Sequence, residues 1–217
     1  MAQEYRQIVL SEPKPFVKWA GGKRQLMSEL EKNFPIKFGT YLEPFLGGGA
    51  VMFDLLAKNS NLKCNVSDLN SDLVLAYVTI RDRLGRLIES LENHSKNYHK
   101  DSTGNYYEER KQEPKNQIEK VSRLLFLNKT CFNGLYRVNS KGKFNVPLGR
   151  YTNPNIVNKE NLETVSKALQ YGKIKISCRD FESVISDAKK GDFVYFDPPY
   201  QPVSDTANFT SYTHRDF

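Results

Sequence analysis

The stretch TYLEPFLGGGAVMFDLLA, residues 40–57, leaves few folds open. A short β-prone run meets three consecutive glycines and continues into sequence with helical spacing. Glycine at such a turn lets the chain double back without a Cβ in the way. KCNVSDLN then reads as a second short strand, ending at Asp68. A helix follows over residues 71–91, with apolar positions at Leu73, Ala76, Tyr77, Ile80 and Leu84 and a cap from Asn70 or Ser71. Two further strands, in KIKISCRDF and GDFVYFD, lie late in the chain. Helix-like sequence separates every strand from the next, so the expected fold class is α/β with a parallel, Rossmann-like sheet. The chain reaches Phe217 soon after its fourth strand, so the sheet is expected to be incomplete at the C-terminus.

The middle of the chain differs. Residues 93–116, NHSKNYHKDSTGNYYEERKQEPKN, read as a polar loop with short helical pieces. QIEKVSRLLFLNKTCFNG predicts a helix stopped by Gly134. LYRVNSKGKFNVPLGRY predicts a β-hairpin turning at Ser140-Lys141-Gly142. The expected organisation is a catalytic α/β domain in two parts, residues 1–91 and 155–217, around a helical and hairpin insertion over 92–154.

Lysine and arginine number 32 against 25 acids, a formal charge of +7 that favours an anionic partner, most often nucleic acid. Cys64, Cys131 and Cys178 are dispersed and form no CxxC pair. His94, His99 and His214 do not complete a ligand set. Neither a metal site nor a disulfide framework is expected, and a reducing, cytoplasmic setting fits. The N-terminal residues carry mixed charge, and no signal peptide or membrane span is visible.

Four motifs bear on chemistry. Gly47 and Gly49 meet the first half of the G-x-G-x-x-G pattern, but Met52 stands at its third glycine position. A plain tight turn accounts for them equally well. Asp68, some twenty residues on at the end of the next strand, is where such sheets hold a ribose diol. FVKWAGGKRQL imitates a phosphate loop but has Val17 and Arg24 where a Walker motif needs Gly and Ser or Thr. Trp19 could equally be a core aromatic and Lys23 a solvated helix start. Asp180 and Phe181 follow the third strand. They suit an adenine, with the acid on its amino group and the ring on its face, or else are a helix cap and a core residue.

The fourth motif is VYFDPPY. A strand end runs into Asp197, and Pro198 and Pro199 cannot extend a ladder because they lack an N–H. Their carbonyls stay available, and Tyr200 follows. The loop offers a carboxylate, carbonyl acceptors and an aromatic face, a set that suits a planar group bearing an amino nitrogen.

Taken in order, FVKWAGGK, EPFLGGGAVMFD, SDLNSDL, NGLYRVNSKGKFNVPLGRY and FDPPY resemble the Dam-type DNA adenine-N6 methyltransferases. Within that group the chain looks most like the GATC-methylating enzymes of restriction–modification systems. The resemblance implies an alpha-class amino-methyltransferase that uses S-adenosyl-L-methionine and acts on double-stranded DNA. It implies cofactor contacts at Trp19, Lys23, Phe45, Gly47, Gly49, Asp68, Asp180, Phe181 and Asp197, and a catalytic loop from Asp197 through Pro198 and Pro199 to Tyr200. It implies DNA contacts at Lys18, Asn133, Leu135, Arg137, Pro147 and Arg150. Lys18 and Arg137 would read the outer and inner guanines, and Lys141 and Lys143 would meet phosphates. A monomer is expected; the resemblance leaves room for a cognate endonuclease of the same system, with no direct contact implied, and the sequence does not decide whether one exists. N4-cytosine methylation, protein-glutamine methylation and a non-catalytic DNA-binding remnant are the alternatives.

Overall fold

Four strands form one parallel sheet in the computed structural model, which describes residues 12–198. They are β1 (Thr40–Glu43), β2 (Lys63–Ser67), β3 (Lys173–Ser177) and β4 (Phe193–Val194), in the order β3-β2-β1-β4. This is the α/β sheet that the alternation of strand and helix predicts. Leu42 pairs with Asn65 on one side and Val194 on the other, and β4 continues as the Tyr195 N–H donates to the Leu42 carbonyl. Tyr41, Leu42, Cys64 and Val66 are buried, as the two central strands require.

Among the described residues, eight α-helices surround or extend the sheet: α1 (Met27–Leu30), α2 (Ala50–Lys58), α3 (Ser71–Asp82), α4 (Leu84–Lys100), α5 (Ser102–Lys111), α6 (Gln117–Thr130), α7 (Lys159–Tyr171) and α8 (Phe181–Ile185). Side-chain caps start four of them. Asn70 accepts from the Asp72 and Leu73 N–H groups, Asp101 from Gly104, Asn116 from Glu119 and Asp180 from Ser183. α7 packs on α2, α3, α4 and β3, while α8 packs on β1 and β2.

Three local expectations change. The helix read over 71–91 is two helices, broken at Arg83, whose φ of −139° leaves the helical region. The polar stretch 93–116 is mostly helical, being the end of α4 and all of α5. The expected boundary at 91/92 therefore falls inside α4. Finally, α6 ends at Thr130 rather than at Gly134, because the loop takes over its terminal bonds. The Gly149 N–H donates to the Thr130 carbonyl at 2.8 Å, and the Phe132 N–H to Pro147 at 2.8 Å. Gly134 instead has φ +66°, in a 3₁₀ turn over Phe132–Gly134.

The expected hairpin is an irregular antiparallel ribbon. Its two bridges, Cys131 with Leu148 and Val138 with Phe144, do not extend into strands. Its turn is where the sequence puts it: the Asn139 N–H donates to Lys143 O at 2.9 Å and the Gly142 N–H to Asn139 O at 2.9 Å. The insertion shares one continuous hydrophobic core with the sheet, from Tyr41 and Val66 through Tyr77 to Leu125 and Phe126. Among the described residues no helix is long and apolar enough to cross a membrane.

Candidate active site

The site is built on the turn between β1 and α2. Gly47 and Gly49 have φ of +49° and +69°, a left-handed conformation that side chains disfavour. Space forbids a side chain too. A Cβ on Gly49 would lie 2.6 Å from the Tyr77 hydroxyl, and one on Gly47 3.2 Å from the Trp19 ring. The turn is cross-linked to β2 and α3: the Leu46 N–H donates to Ser67 O at 2.9 Å, and the Tyr77 hydroxyl donates to Gly47 O at 3.0 Å.

Asp68 closes the turn from the end of β2. Its carboxylate accepts from the Gly47 N–H at 2.9 Å through one oxygen and from the Asn70 N–H at 2.8 Å through the other. Burial raises its pKa, and these two bonds oppose the rise. Each oxygen keeps a further lone pair for a ligand hydroxyl.

Glu43, the last residue of β1, lies beneath the turn and is 3% exposed. Gly49, the N-cap of α2, has no capping side chain, and the Glu43 carboxyl lies near the Met52 N–H in the first turn, which lowers its pKa. The Tyr41 hydroxyl donates to its Oε2 at 2.9 Å. Burial pushes its pKa up to about 8, with the Asp197 and Asp68 carboxylates adding to the rise and the Tyr41 bond opposing it. Sequence reasoning passed over Glu43, although it opens the EPFLGGG motif. The cue was an acid at an otherwise buried strand end.

Asp197 follows β4, next to β1 in the sheet. Its Oδ2 meets the Lys23 ammonium at 2.5 Å, and that ammonium also donates to Gly21 O at 2.7 Å. The Lys23 and Asp197 side chains are only 14% and 20% exposed, so solvent screens this pair less than a surface bridge. Pro198 is described and exposed; Pro199 and Tyr200 lie outside the described residues.

An aromatic cluster borders the turn. The rings of Phe45 and Phe181 stack at 5.7 Å and 25°, and Phe196 lies 6.4 Å from Phe45. Phe181 and Phe196 are exposed although large and apolar. Asp180 caps α8, accepting from the Ser183 N–H at 2.9 Å and hydroxyl at 2.8 Å. These bonds hold its carboxyl below the usual range. The cap reading of Asp180 is thus met, while Phe181 is a surface ring rather than a core one.

A second group of expected residues lies around the ribbon. The Lys18 backbone is clamped by Asn128, whose amide accepts from the Lys18 N–H at 2.8 Å and donates to Lys18 O and Gly134 O, both at 2.9 Å. The Lys18 ammonium lies 3.1 Å from the Tyr151 hydroxyl and 4.8 Å from its ring centroid. Asn133 is exposed with φ +55°. The Arg137 Nε–H donates to Asn145 Oδ1 at 2.8 Å, which fixes one edge of the guanidinium. Leu135 is half-buried, and Pro147 and Arg150 are exposed. Tyr136, which sequence reasoning did not single out, joins the two groups: its ring lies 5.0 Å from that of Trp19. Among the described residues no cluster of His, Cys, Asp or Glu could hold a metal ion.

A nucleoside with an amino-acid tail fits these residues. The glycine turn offers bare backbone, Asp68 offers acceptors for a diol, Phe45 and Phe181 offer ring faces, and Lys23 offers a cation. The chain is similar to known methyltransferases. Residues 19–217 match the family model of D12 class N6 adenine-specific DNA methyltransferase. The chain is 47% identical over 220 residues to the Type II methyltransferase M.MjaIII of Methanocaldococcus jannaschii, covering 95% of this chain and 75% of that protein. It is 45% identical over 208 residues to the Type II methyltransferase M1.LlaDCHI of Lactococcus lactis subsp. cremoris, covering 94% and 72%. It is 35% identical over 210 residues to the DNA adenine methylase of Haemophilus influenzae, covering 94% and 70%.

Proposed function

Because this chain belongs to the D12 class N6 adenine-specific DNA methyltransferases, we propose that it methylates adenine N6 in GATC duplex DNA, with S-adenosyl-L-methionine as methyl donor and in the cytoplasm. The observation that carries the reading is the position of Asp197. It leaves the sheet beside the glycine turn, with its carboxylate held by Lys23.

The cofactor is held by the residues that border this turn. Asp68 receives the ribose hydroxyls, Phe45 and Phe181 face the purine, Asp180 meets its amino group, and the Gly47–Gly49 backbone and Trp19 close over the remainder. When bound, S-adenosylmethionine supplies an electrophilic methyl group.

The adenine amino nitrogen is a poor nucleophile because its lone pair is delocalised into the ring. Asp197 and the Pro198 carbonyl each accept one N6 hydrogen bond. This draws the nitrogen toward tetrahedral geometry and aims its lone pair at the methyl carbon. As the new N–C bond formed, the sulfonium S–CH3 bond would break to leave a neutral thioether, and the surplus N6 proton would pass to Asp197 or to water. Tyr200 stacks on the base. The base is reached by flipping it from the duplex, at a cost of a few kcal/mol (about) that phosphate contacts offset.

Lys18 and Arg137 read the guanines of the site, while Asn133, Leu135, Pro147 and Arg150 line the rest of the DNA contact. The likeness of the NGLYRVNSKGKFNVPLGRY segment to the GATC enzymes supports this assignment. The names of the Type II relatives support a place beside a cognate endonuclease. The protein is proposed to work without direct contact with that enzyme, as a monomer. The test is methyl incorporation into a GATC duplex and into duplexes altered at one base pair. The reading predicts a strong preference for the intact site. Equal incorporation into all of them contradicts the GATC assignment.

A further inference from the structure

Two chains of contact run from Tyr136 to the glycine turn. The first passes through rings. Tyr136 lies against Trp19 at 5.0 Å and 32°, and the Trp19 ring in turn lies where a Cβ on Gly47 would approach to 3.2 Å. The second passes through polar side chains. The Tyr136 hydroxyl lies near the side chains of Asn70 and Asp72. Asn70 caps α3, and its own N–H donates to Asp68, which holds the Gly47 N–H. Asp72 is anchored by Lys120 of α6 at 2.6 Å. Both routes end on Gly47, whose N–H donates to Asp68 and whose carbonyl accepts from the Tyr77 hydroxyl.

Tyr136 is also the neighbour of Arg137 in the ribbon. Arg137 is fixed to Asn145, and the Asn145 N–H donates to Arg137 O at 3.1 Å. A shift of this segment on DNA therefore moves the side chain that braces the cofactor turn.

We infer that Tyr136 is a positioning residue for the cofactor site, and that through it binding of cofactor and of specific DNA reinforce one another. The inference rests on the proposed function, in which the turn holds S-adenosylmethionine and the ribbon reads DNA. Linkage makes the coupling reciprocal: whatever factor DNA adds to cofactor affinity, cofactor adds to DNA affinity.

Trp19 is the one tryptophan of the 217 residues, so its fluorescence reports on the braced ring directly. The experiment titrates the full chain with S-adenosylmethionine, with and without a GATC duplex, in wild type, Tyr136→Phe and Tyr136→Ala. Wild type should bind cofactor more tightly by about fivefold or more when DNA is present. Tyr136→Ala should lose that gain, bind cofactor about tenfold more weakly, and shift the emission of Trp19 without ligand. Tyr136→Phe keeps the ring and should retain part of the coupling; it also serves if the alanine variant does not fold. Coupling that Tyr136→Phe and Tyr136→Ala both leave at the wild-type value overturns the inference, as does a wild type with no coupling. A wild type that binds no cofactor at all contradicts the site reading beneath it, a different outcome that the first titration reveals.

Discussion

Glu43 and Asp68 are both acids at strand ends, and they differ in what the chain discloses about them. Asp68 is legible because its use is local: it follows β2, and the nearby glycine turn supplies its donor. Glu43 is not, because its burial arises only when the chain folds over the end of β1 and brings Met52 of α2 near its carboxyl. Asp68→Ala would leave the Gly47 and Asn70 N–H groups without their acceptor and remove the proposed diol contact. Calorimetry should then give S-adenosylmethionine affinity lower by about tenfold or more, and unchanged affinity would rule out the ribose role. Glu43 makes stability depend on pH. The unfolded chain releases this proton near the ordinary 4.5, whereas the folded chain keeps it to about 8. Between those values the native state holds the extra proton, so the Glu43 contribution falls as pH rises. Glu43→Gln cannot ionise. Its melting temperature should gain on wild type from pH 5 toward pH 8, and a gap that stays constant across that range would show that Glu43 does not titrate there.

At the scale of elements, capping and turn chemistry are local and were legible; extended packing was not. Asn70 caps α3, and the ribbon turns at Gly142, as the sequence implies. The second half of α4 reads as loop because most of its residues are polar, though Tyr98 continues the buried helical stripe that Leu87, Ile88 and Leu91 begin. The ribbon falls short of a hairpin because its bonds are shared with other partners. The Asn139 side chain takes the Lys141 and Lys143 N–H groups, and the α6 terminus takes Gly149. Within this element the basic residues should separate by role. Arg137 is held in one orientation by Asn145, whereas Lys141 is exposed and Lys143 makes only a surface pair with Glu113. Arg137→Ala should cost about 1–3 kcal/mol on a GATC duplex and narrow the lead over a mismatched one. Neutralising Lys141 and Lys143 should weaken binding to all sequences and flatten its salt dependence. Equal losses on matched and mismatched DNA for Arg137→Ala would make it a phosphate clamp.

For the whole molecule, the parallel sheet collects the candidate site residues at one set of strand ends. Asp68 follows β2, the glycine turn and Phe45 follow β1, Asp180 follows β3, and Asp197 follows β4. Ligands of open α/β sheets bind beyond the carboxyl ends of the strands, so this placement follows from topology once the strands are parallel. The order of the strands could not be read from the chain, because β1 lies between β2 and β4 through contacts distant in sequence. The shared core ties the insertion to the same framework, which joins the proposed DNA contacts to the proposed methyl-transfer site. The most direct measurement is nucleoside analysis of a GATC duplex after reaction with labelled S-adenosylmethionine, comparing wild type with Asp197→Asn. An amide keeps the shape and one acceptor oxygen but loses the charge that Lys23 holds in place. The account predicts N6-methyladenine from wild type and a rate lower by about 10² or more for Asp197→Asn, as for loss of one preorganised electrostatic group, with DNA affinity retained. Label in N4-methylcytosine, or an undiminished rate in Asp197→Asn, would contradict it.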